Sequence, residues 1–142
     1  MDIVRHPKQG ALVEIGLDKY GFEAPEMVKL RLGVVLSKPD RSFKNPRNQV
    51  CVVVPCSTTD PDPVRDYHYR LELPDWYNTG LRWTSEMWVI GNQIFTLRLE
   101  SIDYIRLKKS RVTGKREYQI QSIPRKMFEE IQRKVLIGIG YE

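Results

Sequence analysis

Histidine and cysteine are scarce in this chain, which has 142 residues and two of each. His6, His68, Cys51 and Cys56 show no spacing that resembles a metal site, so no metal or other cofactor is expected. Two cysteines are too few for a disulfide scaffold and fit a reducing compartment. No apolar run approaches the ~20 residues of a membrane-crossing helix. The opening Met1-Asp2-Ile3-Val4-Arg5-His6-Pro7-Lys8 lacks the apolar stretch of a secretory signal. A cytoplasmic protein with no membrane partner is the expectation. A Gly-rich phosphate loop, a dinucleotide fingerprint and a nucleophile elbow are absent as well. The candidate carboxylates Glu14, Asp18, Glu23, Glu26 and Asp103 have no spacing that singles out an acid–base pair.

The composition is that of a globular chain, 41% hydrophobic and 29% charged at 16.7 kDa. One domain over residues 1–142 is expected. The net charge is +5 and it is unevenly placed. Residues 98–142 hold 11 Lys+Arg against 6 Asp+Glu, and the first 97 hold 12 of each. A basic third on a neutral remainder points to a polyanionic partner such as nucleic acid. The competing reading is a solvated basic face.

Most of the chain reads as short strands. Ala11 to Ile15 follows Gly10; Val28 to Ser37 is an apolar run ended by Pro39; Gln49 to Val54 is β-branched and stopped by Pro55. Near-continuous apolar runs suggest strands covered on both faces. Tyr67 to Leu73 alternates, with the odd positions apolar. Met87 to Ile90 and Ile94 to Leu97 form two strands, or one broken by Gly91. Tyr104 to Leu107 and Arg116 to Ile120 flank the turn Val112-Thr113-Gly114-Lys115. The period then changes. Ser122 is a candidate helix cap and Pro124 suits the first turn. Phe128, Ile131 and Val135 make one apolar stripe, and Gly138 and Gly140 end the helix. The fold class is therefore mainly β: a small antiparallel barrel or sandwich (strands about 10–120) with a C-terminal helix (about 123–138).

With the usual chemistry excluded, positive charge, hydroxyls and aromatics remain. Arg31 opens Arg31-Leu32-Gly33-Val34-Val35-Leu36-Ser37, and Ser57, Thr58 and Thr59 follow Val52-Val53-Val54-Pro55-Cys56. If these strands pair, an arginine meets several hydroxyls, a combination that grips a phosphate and stabilises charge building on it. A surface arginine beside an ordinary turn is the alternative. Arg41, Lys44 and Arg47 with Phe43, and Trp76, Arg82 and Trp83 with Tyr77, are mixed basic–aromatic loops suited to unpaired bases. Trp88, inside a strand, reads as core. His68 reads as a strand residue, and His6 as part of a frayed terminus.

The segments Arg31 to Ser37 and Val53-Val54-Pro55-Cys56-Ser57-Thr58-Thr59 resemble the PemK/MazF family of toxins from toxin–antitoxin systems. The family pattern is Arg-Pro-Val-Val-Val-Leu-Ser, then Val-Val-Pro with a Ser/Thr cluster. Ala11 to Ile15 looks like its first strand, Trp88 to Thr96 like its later Asp-Gln segment, and the C-terminal helix falls where the family has one. The resemblance implies an SH3-like barrel acting as a homodimer. It implies a metal-independent endoribonuclease cutting single-stranded RNA by attack of a ribose 2′-hydroxyl, leaving a cyclic phosphate. An acidic antitoxin is the implied protein partner. Arg31 then binds the phosphate, and the site hydroxyl falls at Ser57, with Thr58 next to it; either can donate to a phosphate oxygen. The Asp-Gln position is Asn92-Gln93, where amides can hydrogen-bond RNA but Asn92 cannot act as a carboxylate base. Ile90 stands where some members carry an arginine, and Leu32 where the family has proline. A catalytically inactive barrel that binds nucleic acid or a partner protein is the alternative.

Overall fold

The computed structural model describes residues 5–16, 31–40, 42, 45, 49–77 and 86–141. Arg41, Lys44, Arg47, Arg82 and Trp83 lie outside them. Among the described residues the strands are β1 (Leu12–Ile15), β2 (Arg31–Val35), β3 (Val50–Ser57), β4 (His68–Glu72), β5 (Glu86–Ile90), β6 (Phe95–Arg98), β7 (Ile102–Lys109) and β8 (Arg116–Gln119). One helix, α1 (Arg125–Gly138), follows them. The strands form one antiparallel sheet in the order β4-β5-β3-β2-β1-β7-β8, with β6 also on β3. The architecture is the mainly-β, antiparallel, helix-terminated fold that the sequence implies. Among the described residues its hydrogen bonding stops at β4 and at β8, so they do not close a barrel.

The central strands are buried on both sides, as their unbroken apolar runs suggest. Leu12, Leu32, Val34, Val54 and Cys56 point to one face, where Leu71, Met87, Val89 and Ile105 join them. Phe128, Ile131 and Val135, the stripe of α1, close that core. The alternate residues Val13, Ile15, Val35, Cys51 and Val53 enter a second core with Leu97, Leu99 and Ile102. Each strand residue thus belongs to one face by parity alone.

Pro55 does not end its strand; β3 runs on to Ser57. Leu36 donates its N–H to Val52 O at 2.8 Å, and Gly33 lies opposite Pro55. Bonded pairs alternate in an antiparallel ladder, so the 33/55 pair needs no amide from Pro55. On its other edge β3 pairs with β6 over Val50–Val53 and with β5 over Cys56–Ser57. Proline occupies the seam between the two partners, where its missing donor leaves no gap in the ladder.

Ser122 is not a helix cap. Its hydroxyl donates to Gln9 O at 2.7 Å, and Ile123 N–H reaches Gly10 O at 2.9 Å. Pro124 occupies the cap position without a side-chain bond. These contacts tie the start of α1 to the start of β1. Its other end rests on the turn after β5. A Cβ on Gly138 would overlap Gly91 and come within 2.7 Å of the Asn92 amide, so this approach requires glycine.

Candidate functional site

The register brings together the two strand ends that carry Arg31 and Ser57. Leu32 lies opposite Cys56, and one step further along the same ladder places Arg31 opposite Ser57. Ser57 in turn faces Trp88 on β5, and Trp88 faces Arg70 on β4. On the other side Arg31 faces Ile15 of β1. Opposed residues share a face with Cβ atoms about 4.5–5.5 Å apart. Their alternates Leu32, Cys56, Val89 and Leu71 are all in the helix-side core. Arg31, Ser57, Trp88 and Arg70 therefore form a transverse row on the opposite face. The row continues the second core, turning from Ile15 to polar groups.

Arg31 is half-buried. Its Nε is buried and has no hydrogen-bond partner. Leaving such a donor unsatisfied costs about 1–3 kcal/mol, more for a charged group. Gly33 shapes the neighbourhood: a Cβ there would overlap Ile15 Cδ1, and Ile15 is the residue beside Arg31. Ser57 Oγ accepts from Thr59 N–H at 3.1 Å and donates to Thr59 O at 3.3 Å. The hydroxyl is thus held within its own turn.

Beside the row lies a cavity of about 200 Å³ lined by Thr58, Asp60, Arg70, Glu86, Met87 and Trp88. The Trp88 indole N–H donates to Asp60 Oδ1 at 2.8 Å. Arg70 Nη2 lies 3.1 Å from Glu86 Oε2, and its Nε 3.3 Å from Glu72 Oε1. All three side chains are more than half exposed, so each pair is worth about 0–1 kcal/mol and exchanges easily for a ligand. Trp88 is half-buried rather than core, because its parity places it on the Ser57 face.

The remaining candidates are dispersed. Trp76 is 60% exposed and meets the Tyr77 ring edge-on at 5.8 Å. Tyr77 is itself buried, donating to Gln121 O at 2.7 Å and accepting from Leu12 N–H at 3.3 Å. Asn92 and Gln93 are exposed in the turn after β5, at the opposite end of that strand from Glu86. No described contact joins these three residues to the row. His68 lies on the face of Arg70, and its Nδ1 accepts from Arg65 N–H at 2.9 Å. Burial, and next the Arg65 charge, lower its pKa, favouring the neutral ring.

His6 is not frayed. It is buried, with Nδ1 2.6 Å from Pro7 O and Nε2 2.7 Å from Ser37 Oγ. The register also sets Glu14 opposite Asp103 across β1 and β7, a carboxylate pair that spacing did not single out. Both cysteines are buried and free. Burial pushes the Cys51 thiol up to about 11 and Cys56 to about 12, so neither is a nucleophile at neutral pH. Among the described residues, no group of three His, Cys, Asp or Glu is placed to hold a metal. No described helix is long and apolar enough to cross a membrane.

Solved structures share this architecture. An endoribonuclease from a mycobacterial species superposes with a TM-score of 0.58 at 13% identity, covering 97% of this chain and 95% of the other. A mycobacterial endoribonuclease in complex with its cognate antitoxin matches at 0.57 and 12% identity, over 96% of this chain and 97% of the other. A MazE–MazF structure from Deinococcus radiodurans matches at 0.53 and 16% identity, over 94% and 96%. No protein-family model matches the sequence, and no curated protein does. The shared fold is MazF-like and spans nearly the whole chain.

Proposed function

We propose that the chain is the toxin of a toxin–antitoxin pair, a metal-independent endoribonuclease that cuts single-stranded RNA. The observation that carries this reading is the partnerless, buried Nε of Arg31 opposite a hydroxyl-bearing strand end. A guanidinium with an unpaired Nε–H beside Ser57 and Thr58 suits a phosphate, whose oxygens accept charge-assisted bonds. The MazF-like fold and the endoribonuclease activity named for its structural neighbours support the same reading.

In this reading Arg31 holds the scissile phosphate and stabilises the charge that grows on it. Thr58 and Ser57 donate to its oxygens once bound. The ribose 2′-oxygen attacks phosphorus, a P–O bond to the 2′-oxygen forms, and the P–O5′ bond breaks. Asp60, on the cavity wall beside Thr58, takes the proton from the 2′-hydroxyl, and water returns one to the leaving 5′-oxygen. The products are a 2′,3′-cyclic phosphate and a free 5′-hydroxyl. Asp60 thereby supplies the carboxylate that Asn92 lacks. Trp76, Asn92 and Gln93 contact RNA away from the scissile bond, together with Arg41, Lys44, Arg47, Arg82 and Trp83, which lie outside the described residues. The protein acts as a homodimer, and an acidic antitoxin segment competes for the same basic surface. The antitoxin complexes among the structural neighbours support that partner.

Incubation of purified protein with a long single-stranded RNA in EDTA tests this. Fragments ending in cyclic phosphate and 5′-hydroxyl are expected. RNA left intact, with or without divalent metal, overturns the ribonuclease reading. Salt-sensitive binding without products would instead favour the inactive nucleic-acid-binding barrel.

A further inference from the structure

We propose that the cavity beside the row is a guanine pocket, which deepens the ribonuclease reading by assigning a base preference next to the scissile phosphate. Its volume of about 200 Å³ is below the roughly 300–1,000 Å³ of pockets that enclose drug-sized ligands, so it suits one planar group rather than a whole nucleotide. Its wall supplies one element for each part of a nucleobase. Trp88 lines it with an indole whose N–H is held by Asp60 at 2.8 Å, and aromatic rings stack bases. Glu86 and Arg70, 3.1 Å apart, place an acceptor and a donor at the base edge.

That juxtaposition selects among the four bases. Guanine alone presents two adjacent donors, N1–H and the N2 amino group, which a carboxylate accepts together, with the O6 acceptor alongside for a guanidinium. Adenine sets its N1 lone pair where the carboxylate needs a donor. Cytosine has one donor beside the N3 acceptor. Uracil has a single N3–H between two carbonyl oxygens. Glu72 holds Arg70 Nε at 3.3 Å, so the guanidinium stays placed when a base edge replaces part of its contact with Glu86. The pocket adjoins Ser57 through Trp88, with β3 between β5 and the strand of Arg31, so the base it holds lies beside the row that takes the phosphate.

The test measures binding rather than cleavage. Fully 2′-O-methylated pentanucleotides have no attacking hydroxyl; a set with one central guanine, inosine, adenine, cytosine or uracil in a uracil background is titrated in EDTA by fluorescence anisotropy. The guanine oligonucleotide should bind about tenfold or more tighter than the adenine, cytosine and uracil ones, with inosine between, since it lacks the N2 donor. Glu86→Gln, at an exposed position, should remove the preference for guanine over uracil. Equal affinities in the wild type, or a guanine preference unchanged in Glu86→Gln, overturns the pocket. A guanine preference in a protein that leaves RNA intact keeps the pocket and overturns the ribonuclease reading. Cleavage without base preference does the reverse.

Discussion

The two ends of the β2–β3 pair use similar residue types to opposite effect. At one end Ser37 Oγ accepts from Val52 N–H at 2.9 Å, lies 2.7 Å from His6 Nε2 and is 3.9 Å from Cys51 Sγ. His6 Nδ1 is engaged with Pro7 O, so every polar atom of the cluster has a protein partner. At the other end the buried Arg31 Nε has none, and the Ser57 hydroxyl bonds within its own turn. A serine touching a histidine looks like a nucleophile pair, yet it is the saturated, structural end. The end to which the proposed function assigns the chemistry is marked by what is left unsatisfied. Buried polar groups are normally paired, so an exception is informative where a completed network is not.

Removing the unsatisfied group should give the largest effect. Arg31→Ala is expected to slow RNA cleavage by roughly 10²–10³-fold, about 2.7–4 kcal/mol, as for other transition-state donors. Thermal stability should be unchanged or slightly raised, because an unpaired buried donor disappears. An unchanged rate removes Arg31 from the mechanism. A large fall in Tm would show that the two ends do not differ as argued.

The thiols extend the contrast to pH. Cys56 faces the helix-side core and Cys51 the second core. Burial raises both above the ordinary value of 9.0, to about 12 and about 11. The folded state therefore keeps its protons while the unfolded chain releases them above pH 9. Stability from these groups is complete below pH 9 and is lost as pH climbs from 9 through 11 to 12. Each thiol should add a slope of about 1.4 kcal/mol per pH unit in that window. Urea unfolding between pH 8 and 11 should thus decline less steeply for Cys56→Ala than for the wild type, whatever the baseline difference. Parallel curves would contradict the burial of Cys56.

Much of the fold was legible because parity and period are written in single residues. Phe128, Ile131 and Val135 marked the buried face of α1, and Tyr69, Leu71 and Leu73 marked that of β4. What depends on partners was not legible. Pro55 reads as a stop until β3 is seen to change neighbours there. Ser122 reads as a cap until Gln9, 113 residues away in sequence, takes its hydroxyl. Trp88 reads as core because a strand alone does not say which face is covered. Arg31 and Ser57 were visible as candidates from their strand-end positions. Arg70 and Glu86 were not, since their contact spans 16 residues of sequence. The even-position alternation of Tyr67 to Leu73 does place Arg70 outward, and that was the available signal.

The smallest effect belongs to the saturated end, and it probes the other half of the contrast. Ser37→Ala removes the acceptor of the Val52 N–H and the partner of His6 Nε2. Both groups remain in place with their own desolvation costs, so a loss of about 1–3 kcal/mol in unfolding free energy is expected. Cleavage should stay within about twofold of the wild type at a temperature where both proteins are folded. His6→Ala should give a loss of similar size, and the double variant less than the sum, because the two residues share one contact. A Ser37→Ala protein as stable as the wild type but inactive would reverse the assignment, making the His6–Ser37 pair the reactive end and Arg31 a structural residue.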